Sequence, residues 1–372
     1  MSVAGLLEGK RIVICAGSGG VGKTTTSAAL AMGMAERGLR VAVVTIDPAK
    51  RLANSLGLDG LGNEPAMVDP ERFTEHGIEM RGELWAMMLD AKRTFDALIE
   101  HLAPDAATRD EVLGNRIYQQ LSSAVAGSQE FTAIAKLYEL DQDGDYELIV
   151  LDTPPSRNAL DFLDAPDRLT GFFQGRAIRL FLRPAGIGGK IIGRGTGVVF
   201  GLLKRVTGVD LLQDLSVFFR SLGGMIDGFT ERASGVKALL SDPGTTFVLV
   251  TSPEHEPVEV TIYFHRKLRE AGMPFGGLVV NRLREAPAIG EDEPDGLADA
   301  LGDGLASRVM RSARELSGLA ARDATNVEHL RMELDDPATV IVPQLADDVH
   351  DVDGLAQVLA HLFGEAEELV GR

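Results

Sequence analysis

A single cysteine, Cys15, stands in a chain of 372 residues, and it falls inside an apolar run. No disulfide can form within the chain, and no cysteine-based metal site can be assembled from it. A reducing, cytoplasmic setting is the simplest fit. Basic residues are scarce too: 37 Lys and Arg stand against 55 Asp and Glu, a formal net charge of −18. Neutralising nucleic-acid phosphates needs the opposite surplus, so no nucleic-acid partner is expected. The first ten residues lack a basic leader followed by an apolar core, so no signal peptide is expected and the first strand should begin almost at once. No internal repeat with a period of roughly 20 to 50 residues is visible. What remains is ordinary for a soluble globular protein, with 45% hydrophobic and 25% charged residues. The length can bury a large core and hold two or three lobes.

Against this background one stretch stands out: Gly17-Ser18-Gly19-Gly20-Val21-Gly22-Lys23-Thr24. It follows the apolar run Arg11–Ala16 and precedes the helical pattern Thr25–Ala35, so it reads as strand, glycine loop, helix. Successive glycines let backbone N–H groups of Gly19, Gly20, Val21 and Gly22 converge on a phosphate chain, and the helix that follows adds its dipole and unpaired donors. Lys23 is expected to reach the β and γ phosphates of a nucleotide and Thr24 to ligate Mg²⁺, with Thr25 beside them. A glycine-rich turn that merely matches would lack this strand and helix context.

Further apolar runs read as strands. They are Leu39–Asp47, Glu83–Asp90 ahead of a helix from Ala91 to about Leu102, Asp145–Asp152, Thr245–Thr251, Gly277–Asn281 and Ala338–Pro343. Each lies between helical stretches, which predicts an α/β fold with a mostly parallel sheet, flanking helices and a ligand at the carboxyl ends of the strands. Asp152 has the place of a Walker B carboxylate that holds Mg²⁺. Asp47 can face the γ-phosphate and orient or deprotonate the attacking water. Either could instead be a strand-end cap, since Asp favours turns. Asn281 can offer an amide donor and acceptor to a base edge.

The loop, Thr45-Ile46-Asp47-Pro48-Ala49, Asp152–Ser156 running on to Leu160–Leu163, and Val280-Asn281-Arg282 together resemble the arsenical pump ATPase and guided-entry targeting ATPase family. The resemblance implies a dimeric, deviant-Walker P-loop NTPase that hydrolyses MgATP. It implies that Asp47 belongs to switch I, that Asp152 to Leu163 form switch II, and that Asn281 with the segment after Pro343 holds adenine. Three departures are visible. The family's signature lysine is Ser18 here; the cysteines of its metalloid and zinc sites are missing; and Arg157-Asn158 stand where Gly-His is common. The chain looks closest to a bacterial branch that keeps the ATPase core and drops these additions.

The expected division is a nucleotide core over roughly 8–90, 145–165 and 243–372, with an inserted helical subdomain over 91–144 and 166–242. Helical patterns run from Tyr118 to Val125 and from Phe131 to Leu140. From Arg168 to Gly208 there are eight Lys or Arg and no Asp or Glu, leaving 29 basic against 55 acidic residues elsewhere. Such an island suits an anionic membrane surface or a hydrophobic partner helix, and equally a glycine-jointed helical hairpin buried in a dimer. Charges interrupt it too often for a transmembrane segment, though peripheral membrane contact stays open. The acidic run Glu285–Asp303 reads as a solvated surface insert. The expected function is an ATPase whose nucleotide state opens and closes a helical surface for a hydrophobic protein segment or a membrane-associated client. It would act as a homodimer or with a paralogue that supplies the missing lysine. The alternatives are an anion efflux ATPase subunit with a membrane partner, or a partition-type scaffold with little turnover.

Overall fold

The computed structural model describes residues 3–47, 50–119, 128–153, 211–287 and 293–364. The segments expected to form most of switch II, the basic island and Pro48-Ala49 lie outside them, as do residues 120–125 of the helix expected from Tyr118 to Val125. The chain divides into two compact units, one of Met1–Met88, Asp143–Leu160 and Leu240–Arg372, the other of Leu89–Gln142 and Asp161–Leu239.

The first unit is built on eight strands: β1 Ile12–Ala16, β2 Arg40–Thr45, β3 Ala66–Met67, β4 Glu83–Met88, β5 Leu148–Asp152, β6 Thr245–Thr251, β7 Phe275–Leu283 and β8 Thr339–Pro343. They lie in the order β3-β4-β2-β5-β1-β6-β7-β8, and every pairing is parallel except β3 with β4. The central strands β1, β5 and β6 are buried at every residue, which is why they read as unbroken apolar runs: helices cover both faces of a parallel sheet. Alternate side chains serve the two faces. Val13, Cys15, Val41, Val43, Leu148, Val150, Val248 and Val250 join one core with helices α1 Val3–Leu7, α2 Lys23–Glu36 and, near the C-terminus, Val352–Phe363. Helix α2 earns its central place through small residues: Ala28, Ala29, Ala31 and Ala35 are all fully buried. A Cβ on Gly33 would stand 2.2 Å from the Phe363 ring, so the C-terminal helix crosses α2 where a glycine opens the way.

Between and after the strands come α3 Arg51–Ser55, α4 Glu71–Thr74, α5 Ala91–Leu102, α6 Ala106–Leu113, α7 Ser128–Asp143, α8 Leu211–Gly223, α9 Ile226–Leu240, α10 His255–Ala271, α11 Glu293–Leu301, α12 Asp303–Glu333 and α13 Val352–Phe363. The second unit takes α5, α6, α8 and nearly all of α7 and α9, and has no strand among its described residues. Asp90 and Asp105 cap α5 and α6 by accepting from Arg93 and Thr108 N–H. Its core stacks Phe95 against Tyr118 and Phe229 at centroid distances of 6.2 and 6.0 Å. Among the described residues no helix is long and apolar enough to cross a membrane.

Three expectations need correction. A short helix, α1, precedes β1, because Val3 and Leu7 find tertiary cover that makes so short a helix stable. The second strand ends at Thr45, where its ladder with β4 and β5 stops, so Asp47 sits two residues beyond the strand. The antiparallel β3 was not expected, nor was α4. The acidic run Glu285–Asp303 lies at the surface as expected, its described residues exposed or half-buried, and its second half forms α11, packed on α12.

Candidate functional site

Strand register brings the site together. Thr45 and Cys15 both lie level with Asp152, so β1, β2 and β5 deliver their carboxyl ends to one edge of the sheet. The glycine loop leaves β1 there. A Cβ on Gly17 would stand 2.0 Å from the carbonyl oxygen of Val250, so only glycine lets the chain turn away from β6 at that point. Gly20 and Gly22 hold φ of 80° and 95°, and Gly22 starts α2 with no side chain capping it. The first-turn N–H groups at Lys23, Thr24 and Thr25 therefore face the cleft as donors for an anion.

Lys23 is 6% exposed, and its Nζ donates to the Ser18 carbonyl at 2.8 Å. Burial pulls its pKa down, against the pull of Asp152 and Asp47. Asp152 is 1% exposed, and its Oδ2 accepts from the hydroxyls of Thr24 at 2.7 Å and Thr45 at 2.8 Å. Its Oδ1 is buried without a partner among the described residues. Burial pushes the carboxyl up to about 6, although both hydroxyls and Lys23 work the other way. A buried carboxylate oxygen lacking a donor, beside a threonine hydroxyl, is an all-oxygen set that fits a hard divalent cation such as Mg²⁺. Asp47 lies on the rim, its side chain 15% exposed and its Oδ2 3.5 Å from Arg51.

A cleft of about 490 Å³ opens here, with Gly20, Gly22 and Lys23–Thr25 on one wall and Asp47, Arg51 and Asn54 on another; Thr153 lines it, whereas Asp152 lies behind, reached through the Thr24 hydroxyl. Asn281, Arg282, Pro343 and Gln344–Leu345 line it from the far strands, with Asp347–His350 following. Gly19 and Val21 belong to the loop but not to the lining. The structure brings all the sequence-derived site residues to this one edge, and it adds contacts that the sequence reading missed. Asn281 Nδ2 donates to the Val21 carbonyl at 2.9 Å, and Arg282, at φ 62°, donates to the Gly20 carbonyl at 3.1 Å. Both brace the loop from β7. Thr45 was passed over as a strand residue; its polarity at the end of an apolar run was the available signal. Ser18, at the position of the absent lysine, has its Oγ buried without a partner among the described residues.

Sequence comparison places these features among known proteins. A family model described as anion-transporting ATPase matches residues 10–292. ATPase GET3 of Malassezia globosa is 26% identical over 305 residues, covering 80% of this chain and 80% of that protein. ATPase ARSA1 of Chlamydomonas reinhardtii is 28% identical over 300 residues, covering 74% of this chain and 35% of that protein. An uncharacterized protein of Streptomyces coelicolor is 26% identical over 347 residues, covering 92% of this chain and 78% of that protein.

Proposed function

The chain belongs to the anion-transporting ATPase family and is an ATPase, and from that premise we propose how its cleft binds and hydrolyses MgATP and what the turnover drives. Lys23 and the first-turn N–H groups of α2 hold the β and γ phosphates, for which Lys23 gives up the Ser18 carbonyl. Thr24 and Asp152 hold Mg²⁺, which supplies charge neutralisation on the phosphates. Asp47 orients the attacking water and accepts its proton as the bond to the γ-phosphate forms and ADP leaves. Asn281 and the segment after Pro343 hold the adenine. The observation that carries this reading is the Oδ1 of buried Asp152, beside the Thr24 hydroxyl and unpartnered among the described residues.

The chain leaves the sheet after β4 to build the helical unit, returns for β5, and leaves again soon after Asp152. A change at the γ-phosphate thus acts on the strand end from which the second excursion departs. On this connectivity rests the reading that a cytoplasmic dimer uses ATP to reshape a helical surface for hydrophobic or membrane-associated protein segments. Lys23→Ala should abolish ATP binding in calorimetry. Asp47→Asn should bind MgATP normally and turn over about 10²-fold more slowly, the scale of a lost general base. That trapped variant should retain hydrophobic helical peptides in pull-down, whereas stimulation by an inorganic anion instead of peptide would sink the client reading.

A further inference from the structure

Helix α12 outruns the body that it packs on. Along its C-terminal half Ala320, Asp323, Val327 and Leu330 form a buried stripe. Polar anchors fix the same half: Arg284 grips Asp323 through Nε at 2.7 Å and Nη2 at 2.8 Å, and Asn326 Nδ2 donates to the Pro253 carbonyl at 2.8 Å. His329 lies 3.5 Å from Glu259 on α10. At about 100° per residue, Leu305, Val309 and Leu316 fall on the same stripe as Asp323, Val327 and Leu330. Yet they are 45%, 39% and 41% exposed. Helix α11 packs on α12 and Ala306 is buried in its N-terminal half, yet the stripe of Leu305, Val309 and Leu316 stays open, in a region past the 10–292 span that the family model matches.

The flanking charges say what fits there. Leu305, Val309, Ser312, Leu316 and Leu319 are spaced four, three, four and three apart, the seam of a two-helix pair. Arg308 and Glu315 each stand one residue before a seam position, seven apart on one flank, and neither makes an ion pair among the described residues. When two such helices run antiparallel, Leu305 meets the partner's Leu316, and Arg308 meets the partner's Glu315, twice by symmetry. A parallel pair gives no such match. We propose that the N-terminal half of α12 is a self-association surface that takes the same half of a second copy of this chain, antiparallel. No cleft residue takes part, so the contact is independent of the nucleotide-dependent dimer read above.

Sedimentation velocity of the full chain without nucleotide, across a concentration series, tests this. The seam is about 21 Å long by helix rise, a small interface, so a dimer with a dissociation constant in roughly the micromolar range is expected. Leu305→Glu with Leu316→Glu should weaken it about tenfold or more, and Arg308→Glu alone about fivefold. Arg308→Glu combined with Glu315→Arg should restore it. Lys23→Ala should leave it unchanged. These are exposed positions, and unchanged circular dichroism and ATP affinity certify the fold. A chain that stays monomeric at all concentrations overturns the proposal. So does a dimer indifferent to these substitutions, or one not rescued by the charge exchange.

Discussion

Replacing Asp152 by Asn should remove a pH dependence of stability whose size follows from the burial of one carboxyl. Desolvation raises the folded-state pKa from 3.8 to about 6, and the hydroxyls of Thr24 and Thr45 reduce that rise without cancelling it. Because the folded value lies above the unfolded one, the contribution to stability is fully present below about pH 3.8 and is lost as pH rises through about 6. At about 1.4 kcal/mol per unit, the full loss is about 3 kcal/mol. Part of it precedes pH 4.5, so between pH 4.5 and 7.5 wild type should lose about 2 kcal/mol relative to Asp152→Asn. Urea unfolding of both proteins in a chelator, without nucleotide, reads the difference directly, since other carboxyls titrate alike in both. Adding MgATP above pH 6 should then recover much of the loss in wild type and little in the variant, because the ionised carboxylate is the form that a cation takes. Parallel pH profiles for the two proteins, or a difference of opposite sign, would refute the reasoning.

Two glycines of the loop separate sterics from backbone strain. Gly17→Ala should cost about 3 kcal/mol, since its Cβ meets the Val250 backbone 2.0 Å away, which overpacks a rigid sheet. Gly20→Ala has open space and should cost only the left-handed backbone penalty, about 1–2 kcal/mol; equal losses on denaturation would contradict this. Asn281→Ala should weaken ATP binding through the loop that it braces at Val21 as well as through the base, so affinity for inorganic triphosphate should fall too. If only nucleotide affinity falls in calorimetry, the brace is irrelevant. Arsenite should not stimulate hydrolysis, because burial pushes the Cys15 thiol up to about 12 and no second cysteine exists to share a soft metalloid. Several-fold stimulation in a phosphate-release assay would be decisive against it.

The parts of the fold that could be read in advance are those whose cause is local. A strand buried on both faces must be apolar throughout, so β1, β5 and β6 were written in the sequence as uninterrupted runs, and the glycines before α2 announced a turn that only they permit. Asp152 followed, since a carboxylate ending such a run has few places to go. The same rule overreached at Asp47: Ile46 extends the apolarity, but the ladder with β4 stops at Thr45 paired with Met88, and hydrophobicity does not report where pairing ends. β3, two exposed residues, and α1, five residues stabilised by tertiary contact, carry no periodicity at all. The brace from Asn281 to Val21 spans 260 positions and depends on strand order, which the sequence does not state.

Helix α12 makes the limit clearest. Leu316 and Leu330 have the same side chain on the same stripe, yet one is 41% exposed and the other fully buried. What separates them is the reach of α10 and β7, which fasten the helix from Asp323 onward through Arg284, Pro253 and Glu259. An amphipathic pattern specifies that a face will be covered; only the arrangement of the other elements decides how much of the cover comes from the chain itself. Where that cover stops, the pattern persists, and with it the requirement for a partner. Within the described residues Arg308 donates only to the Gly304 carbonyl of its own helix and Glu315 makes no ion pair, so the charges of that flank are left for the proposed second copy to match.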